Sequence, residues 1–153
     1  MSIFKSYIMS KLENCKYDTN NRLHVYGLLK ENFELEEYLL VKSTSRYHLT
    51  KFRFALHMLP IERLRYAKPQ VKRENRICTL CNQCIGDEFH ILMECDHHTL
   101  KDLRSKYVSL CYAKMPVMCN MTPRGKFVTL LKGNHELIEY SGQFIAEINA
   151  LFS

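Results

Sequence analysis

The chain has 153 residues, 46% of them hydrophobic and 25% charged, which leaves room for one compact domain and argues against wholesale disorder. Five Gly and four Pro exclude collagen-like and linker-dominated architectures. A formal charge of +6 is modest, so the unusual counts are seven Cys and seven His.

Hydrophobic spacing is helical nearly throughout. Ile3, Phe4, Tyr7, Ile8 and Leu12 recur at three- and four-residue intervals and predict an amphipathic helix. Lys5 and Lys11 interrupt that stretch, so it carries no secretory h-region. No run approaches the roughly 18 apolar residues that cross a bilayer. These features predict an intracellular protein without membrane contact, in a reducing nucleus or cytoplasm where thiols stay unpaired; an odd cysteine count agrees. Leu23, Tyr26, Leu29 and Phe33 predict a second helix, weakened by Gly27, and residues 35–40 a short third. Ser43, Thr44 or Ser45 can cap a fourth helix whose stripe is Leu49, Phe52, Leu56 and Leu59, ending before Pro60.

Residues 60–77 read as an extended basic connector into a Cys-rich knot, after which Gly86 or Asp87 starts a short helix through Phe89, His90 and Met93. Residues 97–113 predict a helix on Leu100, Leu103, Tyr107 and Leu110. Thr122-Pro123 is an N-cap and N1 pair for a helix ending at Gly133, and residues 136–152 carry Ile138, Phe144, Ile145, Ile148 and Leu151. No strand alternation appears. The predicted fold is all-α, a small helical domain interrupted by a CCHC zinc knuckle. It divides into N-terminal helices and basic connector (1–77), knuckle (78–98) and C-terminal helices (99–153), forming one unit.

The charge is concentrated. Residues 42–77 hold ten cations (Lys42, Arg46, Lys51, Arg53, Arg63, Arg65, Lys68, Lys72, Arg73, Arg76) against Glu62 and Glu74, net +8. Residues 1–41 hold five against six and residues 78–153 seven against eight, each net −1. Such a block suits a polyanion, because neutralising phosphates releases condensed counterions. Tyr47, Phe52, Phe54 and Tyr66 are interleaved with it, and aromatics beside cations can stack bases. Arg46, Lys51, Arg53, Arg63, Arg65, Lys72, Arg73 and Arg76 are the expected phosphate contacts. The competing reading has the cations solvating an amphipathic helix whose aromatics fill the core.

From residue 78 the chain reads CTLCNQCIGDEFHILMECDHH. Cys78 and Cys81 form C-x2-C, and His90 and Cys95 follow at finger-like spacing, a four-ligand set suited to structural Zn2+. Three thiolates and an imidazole would leave the site net −1, so Arg76 is a candidate for holding the thiolates deprotonated. A second register, Cys81-x2-Cys84-x5-His90-x4-Cys95, stays open, with Cys84, His97 and His98 as alternate ligands. Cys15, Cys111 and Cys119 read as packing residues. Glu88 lies close, yet no H-E-x-x-H or deaminase-type signature accompanies it, so no catalytic residue and no enzymatic activity are expected.

The runs LTKFRFALHMLPIERLRY and RENRICTLCNQCIGDEFHILMECDHHTLKDLRSKYV resemble the extreme C-terminal region of LINE-type (non-LTR) retrotransposon reverse transcriptase polyproteins of invertebrate animals. The resemblance covers about residues 20–150. It implies a zinc-binding element that contacts template RNA or target DNA, with Cys78, Cys81, His90 and Cys95 as ligands and Asp87, Glu88 and Phe89 as helix start and core anchor. No Phe/Tyr-x-Asp-Asp polymerase motif or endonuclease signature is present, so two-metal nucleotidyl transfer is excluded. The expected function is a non-catalytic, zinc-stabilised nucleic-acid-binding module, with a polymerase or other retroelement component as a protein partner. The alternatives are a zinc-stabilised helical interaction or scaffold domain and a non-functional retroelement fragment.

Overall fold

Helical apolar spacing places the core between helices drawn from both sides of the Cys-rich segment. The computed structural model describes residues 2–153. Its helices are α1 (Ile3–Tyr17), α2 (His24–Leu29), α3 (Thr44–Arg53), α4 (Pro60–Arg63), α5 (His98–Lys114), α6 (Pro123–Lys132) and α7 (Ile138–Phe152). Short 3-10 turns and one π-helical turn, His90–Glu94, connect them. Among the described residues there is no strand, only an isolated antiparallel bridge between Ile77 and Ile85, so the fold is all-α as expected. None of these helices is long and apolar enough to cross a membrane.

The last helix is the hub. Phe144, Ile145, Ile148 and Phe152 of α7 share one buried cluster with Leu49 and Phe52 of α3, Tyr107 and Cys111 of α5, and Phe127 and Leu130 of α6. Each fully buried large apolar side chain here contributes about 1.5–3 kcal/mol. α3 and α7 touch through backbone. A Cβ on Gly142 would lie 2.3 Å from the Ser45 Cβ and 2.5 Å from its Cα. Gly142→Ala must push the two helices apart, so an expected loss of about 1–3 kcal/mol or more should appear in urea unfolding. Thr122 caps α6 by accepting from the Gly125 amide at 3.1 Å, and Gly133 ends it at φ +61°, both as the sequence predicts.

Three elements depart from expectation. α3 stops at Arg53, not before Pro60. Ala55 turns left-handed (φ +59°), its amide donating to Phe52 O at 3.1 Å and that of Leu56 to Lys51 O at 2.8 Å, a Schellman closure. Leu56 is thereby turned to solvent, while His57 and Leu59 enter the interior. The stretch after Pro60 is not extended either. Pro60, Ile61 and Glu62 are buried, Ile61 N–H donates to Gly86 O at 3.1 Å, and Arg76 donates back to Ile61 O and Val71 O. The connector is therefore folded onto the knuckle. Finally, α1 forms but buries nothing: its C-terminal half rests on α2, where Gly27 lets the backbones meet at Leu12 and Lys16. Ile3, Phe4 and Tyr7 remain exposed because α2 is only six residues long and ends before it can cover them.

Candidate metal centre

The knuckle is built by backbone hydrogen bonds before any ligand is considered. The Cys78 amide donates to Cys84 O at 2.8 Å and that of Asn82 to Cys78 O at 2.9 Å, with Asn82 in the left-handed region (φ +56°) that asparagine tolerates. This turn sets Cys78 and Cys81 side by side. Asp87 then starts the next helical turn by accepting from the His90 amide at 2.9 Å, and its other oxygen pairs with Arg73 at 3.0 Å. His90 Nε2 lies 3.3 Å from Cys81 Sγ. The π-helical turn adds the extra residue that brings Cys95 back, closed by Cys95 N–H on His90 O at 2.8 Å, with Cys95 Sγ 3.9 Å from Cys78 Sγ.

The ligand atoms of Cys78, Cys81, His90 and Cys95 all lie within 4.8 Å of one another. A tetrahedral ion with metal–sulfur bonds of about 2.3 Å and metal–nitrogen bonds of about 2.0–2.1 Å requires S···S near 3.8 Å and S···N near 3.5 Å. The observed 3.9 and 3.3 Å match that shell, so the residues present fit a four-coordinate metal. The alternates fall outside the cluster. Cys84 is exposed and contributes only backbone, and the His97 and His98 rings pack on each other with centroids 4.4 Å apart.

The thiols do not share one environment. Burial works against ionising Cys81, yet the Gln83 and Cys84 amides and His90 donate to its sulfur and pull its pKa down to about 6. Burial pushes the Cys95 thiol up to about 12, and the neighbouring Cys78 sulfur adds to the shift. Crowded thiols cannot all ionise unaided, and a divalent cation supplies the missing charge. Cys95 therefore gives up a proton when metal binds. The expected result is metal affinity that weakens as pH falls from about 8 to about 6, measured by chelator competition; a flat profile contradicts it.

Arg104 is hydrogen-bonded to the backbone of a cluster residue, and neither it nor the expected Arg76 donates to a cluster sulfur. Arg104 Nε donates to Leu92 O at 2.7 Å and its NH2 to Cys95 O at 3.1 Å, closing the carbonyl end of the π-helical turn. Burial lowers its pKa and the Cys95 sulfur raises it, the signature of a guanidinium packed beside the site. Arg76 spends its donors on Ile61 O and Val71 O, so its charge holds the connector. The sequence did contain a signal for Arg104. The buried stripe of α5 runs Leu100, Tyr107, Val108, Cys111, whereas the predicted Leu110 is exposed, and Arg104 falls on that true stripe. Glu94 Oε2 stands 3.8 Å from His90 Nδ1, beyond hydrogen-bond reach, and that buried nitrogen has no hydrogen-bond partner among the described residues.

Glu88 is buried 2.9 Å from His57 Nε2. Burial opposes its ionisation, but the hydrogen bond and charge of His57 hold it below the usual carboxylate range. Among the thiols read as packing, Cys111 is buried and Cys15 half-buried, but Cys119 is exposed because its 3-10 turn buries Met118 instead.

The expected phosphate contacts divide. Arg53 is fully buried and paired with Glu36, its guanidinium 4.5 Å over the Tyr38 ring. Arg76 is buried as described. Neither can reach a phosphate. Arg65 is chelated by Glu62 at 2.9–3.2 Å, Arg73 is tied to Asp87, and Arg46 donates to Leu39 O at 2.9 Å. Carboxylates and free carbonyls lie within reach of these long side chains, Glu62 within one turn of Arg65 and the others further along the chain, and partly buried pairs are screened less by salt than exposed ones. Lys51, Arg63 and Lys72 have no carboxylate partner among the described residues, and neither do Lys42 and Lys68 of the same block. Compared with family models, curated proteins and solved structures, the chain matches none.

Proposed function

We propose that the chain is a non-catalytic nucleic-acid-binding module whose knuckle is held by one structural Zn2+ on Cys78, Cys81, His90 and Cys95. Zinc is the ion of choice for three thiolates and an imidazole in a tetrahedral shell, and four protein ligands leave no position for a reacting water. Its work is then structural: Zn2+ supplies the charge that lets the thiols ionise, and the chain's own hydrogen bonds orient the ligands. The observation that carries the binding reading is the set of unneutralised cations, Lys42, Lys51, Arg63, Lys68 and Lys72, in a block of net +8. The resemblance to retrotransposon reverse transcriptase tails supports the same partner, RNA or DNA. With about five phosphate contacts, affinity should fall on the order of 100-fold between roughly 50 and 200 mM salt, read by mobility shift. Salt-insensitive binding, or none at low salt, defeats the reading.

A second reading has its own observation. The exposed Ile3, Phe4 and Tyr7 of α1 give an apolar stripe that suits a protein partner. Charge reversal at Arg63 and Lys72 would leave that function intact.

A further inference from the structure

Resting on the nucleic-acid reading, we infer that one cleft accepts an unpaired nucleotide, which makes the ligand single-stranded RNA or DNA in preference to duplex. The cleft, about 560 Å³, lies between the end of α3, α4 and the last turn of α7. Arg22, Lys51 and Arg63 line it, and none of them has a carboxylate partner among the described residues. Glu62 is the only carboxylate side chain in its lining, and Arg65 already neutralises it. The cleft is therefore a concavity with an excess of cations, in which Asn149 and Ser153 add polar groups and Ala55, Leu56 and Met58 apolar surface.

Its aromatic and apolar lining suits a base together with its phosphate. Tyr66 lines the cleft with 62% of its surface exposed, and no other ring stacks on it. Leu56 and Met58, turned outward by the early end of α3, add apolar surface on the same wall. A flat ring with a free face beside cations is the arrangement that stacks an unpaired base while arginines hold the backbone. A paired base inside a duplex presents no free face to such a ring. His57 also lines the cleft. Its Nε2 is taken by Glu88, but Nδ1 is buried and has no hydrogen-bond partner. That nitrogen has no exposed surface, like the unpartnered Arg53 Nε and His90 Nδ1, so His57 contributes a wall to the cleft and no direct contact to a ligand. Arg22 stands outside the 42–77 charge block and reaches this cleft only through the fold.

The test is fluorescence anisotropy on the full zinc-loaded chain, using a labelled oligouridine RNA of roughly twelve nucleotides and the same strand annealed to its complement. The inference expects tighter binding of the single strand. Tyr66→Ala should weaken that binding at least about fivefold and leave the duplex unchanged. Arg63→Ala should weaken it too, while Lys68→Ala, outside the cleft, lowers both forms alike through charge. Both cleft positions are exposed, so folding is checked simply by an unchanged thermal midpoint. Equal affinity for the two forms with no effect of Tyr66→Ala overturns the cleft and leaves the nucleic-acid reading standing. No binding of either form at low salt removes both.

Discussion

Cys78→Ser and His90→Ala are each expected to release about one Zn2+ per chain, while Cys84→Ser and Cys15→Ser retain it. The geometry behind this is specific: Cys78 Sγ sits 3.9 Å from Cys95 Sγ inside the cluster, and Cys84 lends only its carbonyl and amide to the turn. The stability cost should be large. Structural zinc sites bind with about 10–16 kcal/mol, comparable to the whole 5–15 kcal/mol by which domains are stable. Cys78, His90 and Cys95 are themselves buried, and Ile91 and Leu92 between them belong to the main core. Losing the ion leaves crowded thiols facing that core. We expect the thermal midpoint to fall by at least about 10 °C, with much of the helical circular dichroism kept because α3 and α7 pack away from the knuckle. Metal analysis by mass spectrometry reads the first outcome and a thermal scan the second. Zinc kept by Cys78→Ser but lost in Cys84→Ser would falsify the ligand register.

The second large effect concerns Arg53, the biggest of the fully buried side chains. Its NH2 group pairs with Glu36, the Tyr38 and Tyr26 rings lie at 4.5 and 5.7 Å, and its Nε and NH1 have no partner among the described residues. Glu36→Ala leaves a desolvated cation without its counter-charge, and the expected loss is about 3–5 kcal/mol. Arg53→Met alone should cost less, because Glu36 keeps partial exposure and Lys30 at 3.7 Å. Adding Arg53→Met to Glu36→Ala should therefore recover part of the loss, since no buried charge then remains. Urea unfolding of the three variants decides it: a Glu36→Ala chain within about 0.5 kcal/mol of the parent means the pair is not what holds α3 to the 36–40 turn.

Much of the local structure was legible in the residues. Thr122-Pro123 and Gly133 bound α6 because capping and left-handed closure depend on a few adjacent side chains. The ligand set was legible for the same reason: C-x2-C, His90 and Cys95 lie within 18 residues, so spacing alone nearly determines what can meet. The end of α3 was not. Nothing in LTKFRFALHMLP requires Ala55 to turn left-handed; the turn persists because it places His57 against Glu88, 31 residues later. The eight candidate phosphate contacts failed in part for a related reason. A sequence count treats each arginine as solvated, whereas Glu36 and Asp87 claim Arg53 and Arg73 only once the chain has folded, and Glu62 claims Arg65 from one helical turn away.

By itself the sequence determined an all-α chain with helical stripes, a Cys/His knuckle with two registers open and a cationic excess in one segment; the fold chose the register with Cys78. Those properties depend on near neighbours, on period, spacing and composition. Tertiary structure alone decided that Glu36 and Asp87 take Arg53 and Arg73, that Arg104 donates to the Cys95 carbonyl, and that Arg22 joins Lys51 and Arg63 at one cleft. Each of those depends on contacts between distant segments, where burial and a competing partner set the energy and no local pattern records the outcome.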